Sequence, residues 1–90
     1  METGEARLKR MRMRSWRRGM KEMDLILGPF ADARLDALGS DALASYDLLL
    51  SENDQDLLQW MLGQADPPDA YAPLIAQIAA FARSRDLHRI

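Results

Sequence analysis

The chain has 90 residues, no cysteine and one histidine; 48% of it is apolar, 29% is charged, and the formal net charge is −2. That describes one small folded domain without disulfides, zinc–thiolate or iron–sulfur ligation or thiol catalysis, and the lone His88 leaves a histidine metal site or general base without partners. No window reaches the roughly 18 uninterrupted apolar residues of a membrane span, and the opening Met-Glu-Thr-Gly-Glu has no secretory core.

Fourteen Leu, thirteen Ala and six Met stand against four Ile, one Thr and no Val. Helix formers dominate and strand formers are scarce, so the expected fold is all-α, a compact bundle of five or six short helices. The first helix is expected from Glu5 to about Arg17, with Leu8, Met11 and then Ser15 or Trp16 at helical spacing. Gly19 follows as a break. Met20–Leu27 reads as a second helix with Met20, Met23 and Leu27 on one face, ended by Gly28-Pro29. Pro29 suits the first turn of a third helix through Leu38. Gly39 stops it, and Ser40 is the expected N-cap of a fourth helix carrying Leu43, Tyr46, Leu49 and Leu50. Asp54 is the expected N-cap of a fifth, with Asp56 in its first turn and Trp60 as a core anchor. Asp66-Pro67-Pro68 is a rigid linker. A last helix starts at 69–72 or at Pro73 and buries Leu74, Ile75, Ile78 and Phe81. One domain is expected over 1–90, with an ordered core at about 7–82 and a flexible tail over 83–90.

The charge is segregated. Residues 1–21 hold eight Lys and Arg against two acids, a net +6, whereas residues 22–81 hold Arg34 against eleven acids, a net −10. A basic head on an acidic body orients in another protein's field and is repelled by nucleic acid over most of its surface. The basic first helix could still serve a nucleic acid, an anionic membrane or an acidic protein surface. The protein surface is favoured, because the apolar residues for membrane binding are few.

Little in the chain suggests catalysis. None of the five Ser has a histidine in plausible reach, and the five Gly are scattered singly rather than gathered in a phosphate loop. Glu52-Asn53-Asp54-Gln55-Asp56 resembles the start of a calcium loop, but Leu57 stands where such a loop needs Gly and no acid closes it. The chain is therefore expected not to be an enzyme.

The remaining feature is Arg17-Arg18-Gly19-Met20-Lys21-Glu22-Met23-Asp24. Arg18 and Glu22 stand four apart and Lys21 and Asp24 three apart, the spacing of local salt bridges contributing about 0.2–0.5 kcal/mol each. Gly19 amid them is either a helix junction or a place where another backbone comes close.

Arg18-Gly19-Met20-Lys21-Glu22 matches the R-G-x-x-E motif of the SdhE family of succinate dehydrogenase assembly factors. Met23-Asp24 resembles the family's Leu-Asp, Pro29-Phe30 follows at the familiar distance, and Asp54–Trp60 is similar to its D-x-D-L-x-x-W segment. The resemblance runs from about Arg7 to Phe81. It implies a five-helix domain without activity of its own. Such a protein binds the flavoprotein subunit of succinate dehydrogenase, and in some cases of fumarate reductase, and promotes covalent attachment of FAD to a histidine there. FAD is then the partner's cofactor, and none is bound covalently by this chain. Carried over, Arg18, Gly19 and Glu22 become the contact motif, with Arg17 and Asp24 beside them as partner-binding candidates; Asp54, Asp56 and Trp60 are expected to be structural. Arg18 would donate to partner carboxylates or carbonyls, and Gly19 would let the partner's backbone approach. The expected setting is the cytoplasm, with the free chain a monomer and neither nucleic acid nor membrane insertion involved. The alternative is a small helical adaptor or a nucleic-acid-associated protein using the basic helix.

Overall fold

In a computed structural model, residues 2–88 are described. Five α-helices follow one another: α1 Gly4–Trp16, α2 Lys21–Arg34, α3 Ser40–Leu49, α4 Asp54–Met61 and α5 Ala72–His88, with a 3-10 turn at Leu35–Ala37 after α2. There is no strand among the described residues. The all-α expectation holds, in five helices rather than six.

The difference lies at Gly28-Pro29, which does not end a helix. α2 runs through both residues to Arg34. Gly28 is buried, and a Cβ built on it would lie 2.3 Å from the Trp16 indole, so glycine is there to seat that ring rather than to stop the helix. Pro29 lacks the N–H that would bond the Leu25 carbonyl. Arg85 on α5 donates from Nη1 to that same carbonyl at 3.4 Å. Thus α5 supplies the donor that the proline removes.

Three expected helix starts also move. Thr3 caps α1, its hydroxyl accepting from Ala6 N–H at 3.1 Å. Gly39, not Ser40, occupies the α3 N-cap position, and no side chain caps that end. Asn53 rather than Asp54 caps α4, accepting from the N–H groups of Gln55 and Asp56 at 2.8 and 3.4 Å. An amide placed one residue earlier satisfies both donors, which frees the Asp54 carboxylate for another use. Asp56 sits exposed in the first turn, where its charge faces the positive end of the helix dipole. α5 begins at Ala72 with Pro73 in its first turn, and Asp69 makes no capping hydrogen bond among the described residues. The helix continues past Arg83, where the sequence places the start of the tail, as far as His88; residues 89–90 of that expected tail lie outside the described residues.

The core is continuous. Met11 from α1, Met23, Leu27, Phe30 and Ala31 from α2, Leu35, Tyr46 and Leu49–Leu50 around α3, Leu57 from α4 and Ile78 from α5 are almost completely shielded from water. α1 packs along α2, and α2 lies between α1 and the pair α4–α5. The Phe30 ring stacks near Tyr46 at 5.9 Å and meets Phe81 edge-on at 5.7 Å. Ser15, not Trp16, continues the buried stripe of α1. Its hydroxyl donates to the Met11 carbonyl at 2.8 Å and lies 2.6 Å from the Tyr46 hydroxyl. The buried phenol therefore has its polar end satisfied, while burial pushes its pKa up to about 12.

Trp60 is not a core anchor. It is half-buried against the core's edge, tilted over Tyr71 with ring centroids 6.0 Å apart. The buried positions of α4 are Leu57 and Met61, four apart, and Trp60 lies one residue off that line.

Candidate partner-docking site

The junction between α1 and α2 is built around Arg18. Arg17 closes α1 with φ −126° and ψ 54°, and Gly19 turns the chain at φ +89°, a left-handed conformation costly for any residue with a Cβ. Met20 then enters α2 from an extended conformation. The helix-junction role of Gly19 is thus real. The space beside it is also open: a Cβ there would meet no atom within 4 Å.

Arg18 is held at both ends. Its backbone N–H donates to Asp24 Oδ1 at 2.6 Å. Its guanidinium donates from Nε to Asp54 Oδ1 at 2.8 Å, from Nη2 to the Glu52 carbonyl at 2.9 Å, and from Nη1 to the Leu50 carbonyl. Only 8% of the side chain is exposed. Arginine suits this place because its planar fork reaches several acceptors at once, two of them carbonyls beyond the C-terminal end of α3, where the helix dipole favours a cation. The local salt bridges expected from spacing, Arg18–Glu22 and Lys21–Asp24, do not form among the described residues. Asp24 instead caps the junction, and Arg18 pairs 36 residues along the chain. Two of the five candidates therefore face inward. Arg17, Gly19 and Glu22 are exposed, and neither Arg17 nor Glu22 enters an ion pair among the described residues. Glu22 begins the exposed face of α2, followed one turn on by Leu25, which is 50% exposed.

The rest of the basic head is also engaged. Arg10 binds Asp47 through two nitrogens, each at 2.9 Å, and Glu2 at 2.8 Å; Arg7 reaches Asp47 at 3.5 Å, Arg12 pairs with Asp36 at 2.6 Å, and Arg14 donates to the Leu50 carbonyl at 2.9 Å. Hydrogen bonding from Arg10 holds the Asp47 carboxyl below its ordinary range. The first helix is thus bound largely to its own chain, and of the basic head Lys9, Arg14, Arg17 and Lys21 are exposed without an ion pair among the described residues, Arg14 being held by the Leu50 carbonyl.

No group of three or more potential metal ligands is found among the described residues. No helix is long and apolar enough to cross a membrane among those residues. An apolar groove beside α4 and α5, about 420 Å³, is lined by Trp60, Leu62, Pro67, Ile75 and Ala79 with Arg83 at its edge, and lacks a constellation for nucleophilic or acid–base chemistry.

Comparison with known proteins bears on this site. The succinate dehydrogenase assembly factor 2, mitochondrial, of Schizosaccharomyces pombe is 33% identical over 91 residues, covering 99% of this chain and 66% of that protein. Its namesake from Dictyostelium discoideum is 38% identical over 63 residues, covering 70% of this chain and 45% of its own length. The FAD assembly factor SdhE of Legionella pneumophila is 36% identical over 70 residues, covering 78% of this chain and 84% of that protein. The chain thus spans about half to two thirds of these mitochondrial relatives and most of the bacterial one. Residues 9–82 match the family described as flavinator of succinate dehydrogenase, a stretch that takes in the Arg18 junction, its anchor at Asp54 and the core, and the chain belongs to that family.

Proposed function

We propose that this protein is a non-catalytic assembly factor that docks on the flavoprotein subunit of succinate dehydrogenase and promotes the covalent attachment of its FAD. The observation that carries this reading is the Gly19–Glu22 segment, exposed at Gly19, Lys21 and Glu22, open beside Gly19 and braced from behind by Arg18 and Asp24, in a chain of the flavinator family. Flavin attachment needs a histidine and the flavin methyl to meet in one geometry. A rigid partner that holds the flavoprotein in that geometry raises the rate by positioning alone. FAD belongs to the flavoprotein on this reading, and a fumarate reductase flavoprotein is a second client. The free chain is a monomer. Nucleic acid is disfavoured as a partner because most arginines of α1 are already bound to the chain's own acids and carbonyls.

Within the motif the roles divide. Glu22 and Gly19 face the partner, Arg17 stands at the rim, and Arg18 and Asp24 hold the junction. The test is complementation in cells lacking their own factor, read as covalent flavin fluorescence of the flavoprotein in a denaturing gel. Glu22→Ala should melt only slightly below wild type, since it removes from the first turn of α2 an exposed acid whose helix-dipole interaction contributes about 0.3–1 kcal/mol. It should lose most of the flavin signal, because a partner donor left unpaired costs about 1–3 kcal/mol of binding. Gly19→Arg should also fail, but it melts earlier: a side chain at φ +89° carries about 1–2 kcal/mol of backbone strain. Full flavinylation by Glu22→Ala would remove this surface from the mechanism.

A further inference from the structure

Arg18 is the most conspicuous charge in the motif, and it points the wrong way for a contact residue. Its side chain is 8% exposed, and its three donating nitrogens end on Asp54, Leu50 and Glu52 of the α3–α4 turn. The same residue's backbone N–H is held by Asp24 of α2. Gly19, at φ +89°, is the next residue along the chain. One arginine therefore ties together the end of α1, the start of α2 and the α3–α4 turn, and fixes where the exposed segment begins. Asp54 is free for this because Asn53 caps α4 in its place.

We propose that the Arg18–Asp54 pair is a brace that sets the Gly19–Glu22 segment in its docking conformation before the partner arrives, so that both are positioning residues rather than contacts. The inference rests on the functional reading above and adds the division of labour within it. A glycine-containing junction without such a brace samples many conformations, and docking then carries the cost of ordering it. Each backbone residue that must be ordered on binding lowers affinity by about tenfold. The brace is specific to arginine: a lysine ammonium is a single point that cannot serve a carboxylate and two separate carbonyls together.

The test compares Arg18→Lys, Asp54→Asn and Glu22→Ala with wild type in three measurements. These are amide hydrogen exchange along the chain, affinity for the purified apo flavoprotein subunit, and flavinylation rate at low and at saturating factor. Arg18→Lys should accelerate exchange at the Arg18 N–H held by Asp24 and at the Met23 and Asp24 N–H groups that close the first turn of α2 on the Met20 carbonyl, while Tyr46 and Ile78 stay protected. Its affinity should fall about tenfold, the penalty for ordering one residue, and its rate should return to wild type at saturation, because the contacts themselves are intact. Asp54→Asn keeps an oxygen acceptor for Arg18 and should show the same pattern more weakly; it also serves if Arg18→Lys fails to fold. Glu22→Ala should lose affinity with unchanged exchange. Unaltered exchange at the Arg18, Met23 and Asp24 amides in both brace variants overturns the proposal. So does a rate that stays low at saturating factor, which would make Arg18 a direct participant. If wild type itself does not bind the flavoprotein subunit, the functional reading falls, while the exchange measurement, which needs no partner, still decides whether the brace exists.

Discussion

Replacing Gly28 by alanine sets two effects of known size against each other. Alanine in a helix interior is favoured over glycine by about 1 kcal/mol. At Gly28 the new methyl would lie 2.3–2.5 Å from three ring atoms of Trp16, so the indole must leave its seat. Overpacking of this kind costs about 1–3 kcal/mol. The displaced ring also gives up its hydrogen bond from Nε1 to Asp32 Oδ2, now 3.2 Å, although that bond is exposed and contributes little. The expected net is a loss of about 1 kcal/mol, or about 4–8 °C in Tm for a domain of this size. The decisive control is the same substitution in a Trp16→Ala background. There the clash is gone, only the helix preference remains, and Gly28→Ala should become stabilising by about 1 kcal/mol. Thermal melts followed by circular dichroism give both numbers, and Trp16 fluorescence in a Trp60→Phe background reports whether the indole has moved. An equal effect of Gly28→Ala in both backgrounds would refute the argument that Trp16 is what requires glycine.

Two further outcomes follow from the core. Burial holds the Tyr46 hydroxyl protonated to about pH 12, against about 10 in the unfolded chain. The folded state then binds the extra proton, so stability should fall by about 1.4 kcal/mol per pH unit between those values. Tyr46→Phe should flatten that part of a denaturation series relative to wild type; an unchanged slope would place the alkaline loss elsewhere. Trp60→Ala should cost only about 1–2 kcal/mol, well under the roughly 3–5 kcal/mol of a fully buried aromatic, because the ring is half-buried at the core's edge. Urea titration measures it, and collapse of the fold would return Trp60 to the core.

Helix composition, most of the buried stripe and the motif at 17–24 could all be read along the chain because they depend on near neighbours. What could not be read depends on distant ones. Gly28-Pro29 is a sound local stop signal. It is overridden by Trp16, twelve residues earlier, which fills the space over the glycine, and by Arg85, far later, which serves the carbonyl the proline leaves bare. Arg18 and Asp54 each belong to a recognisable motif, yet nothing in either motif says that they bind each other across 36 residues. Trp60 is a different case. The signal was present in the spacing, since Leu57 and Met61 define the buried line of α4 and the tryptophan stands beside it.

The charge pattern shows how a one-dimensional property changes meaning on folding. A net +6 over residues 1–21 beside −10 over residues 22–81 suggests a basic face offered to an acidic protein surface. Folding brings α1 within side-chain reach of α3, so that Arg7 and Arg10 meet Asp47 while Arg14 and Arg18 meet carbonyls beyond the α3 C-terminus. The exposed pairs each contribute little to stability. Their larger effect is on what remains, because the junction then offers Arg17, Lys21 and Glu22, a small group of mixed sign around an open glycine. Mixed charge at the edge of a docking surface governs encounter rate and partner choice more than affinity. On the proposed reading the Glu22 contact then depends on the shape in which the segment is presented, and that shape is what the nearly buried Arg18 fork would fix.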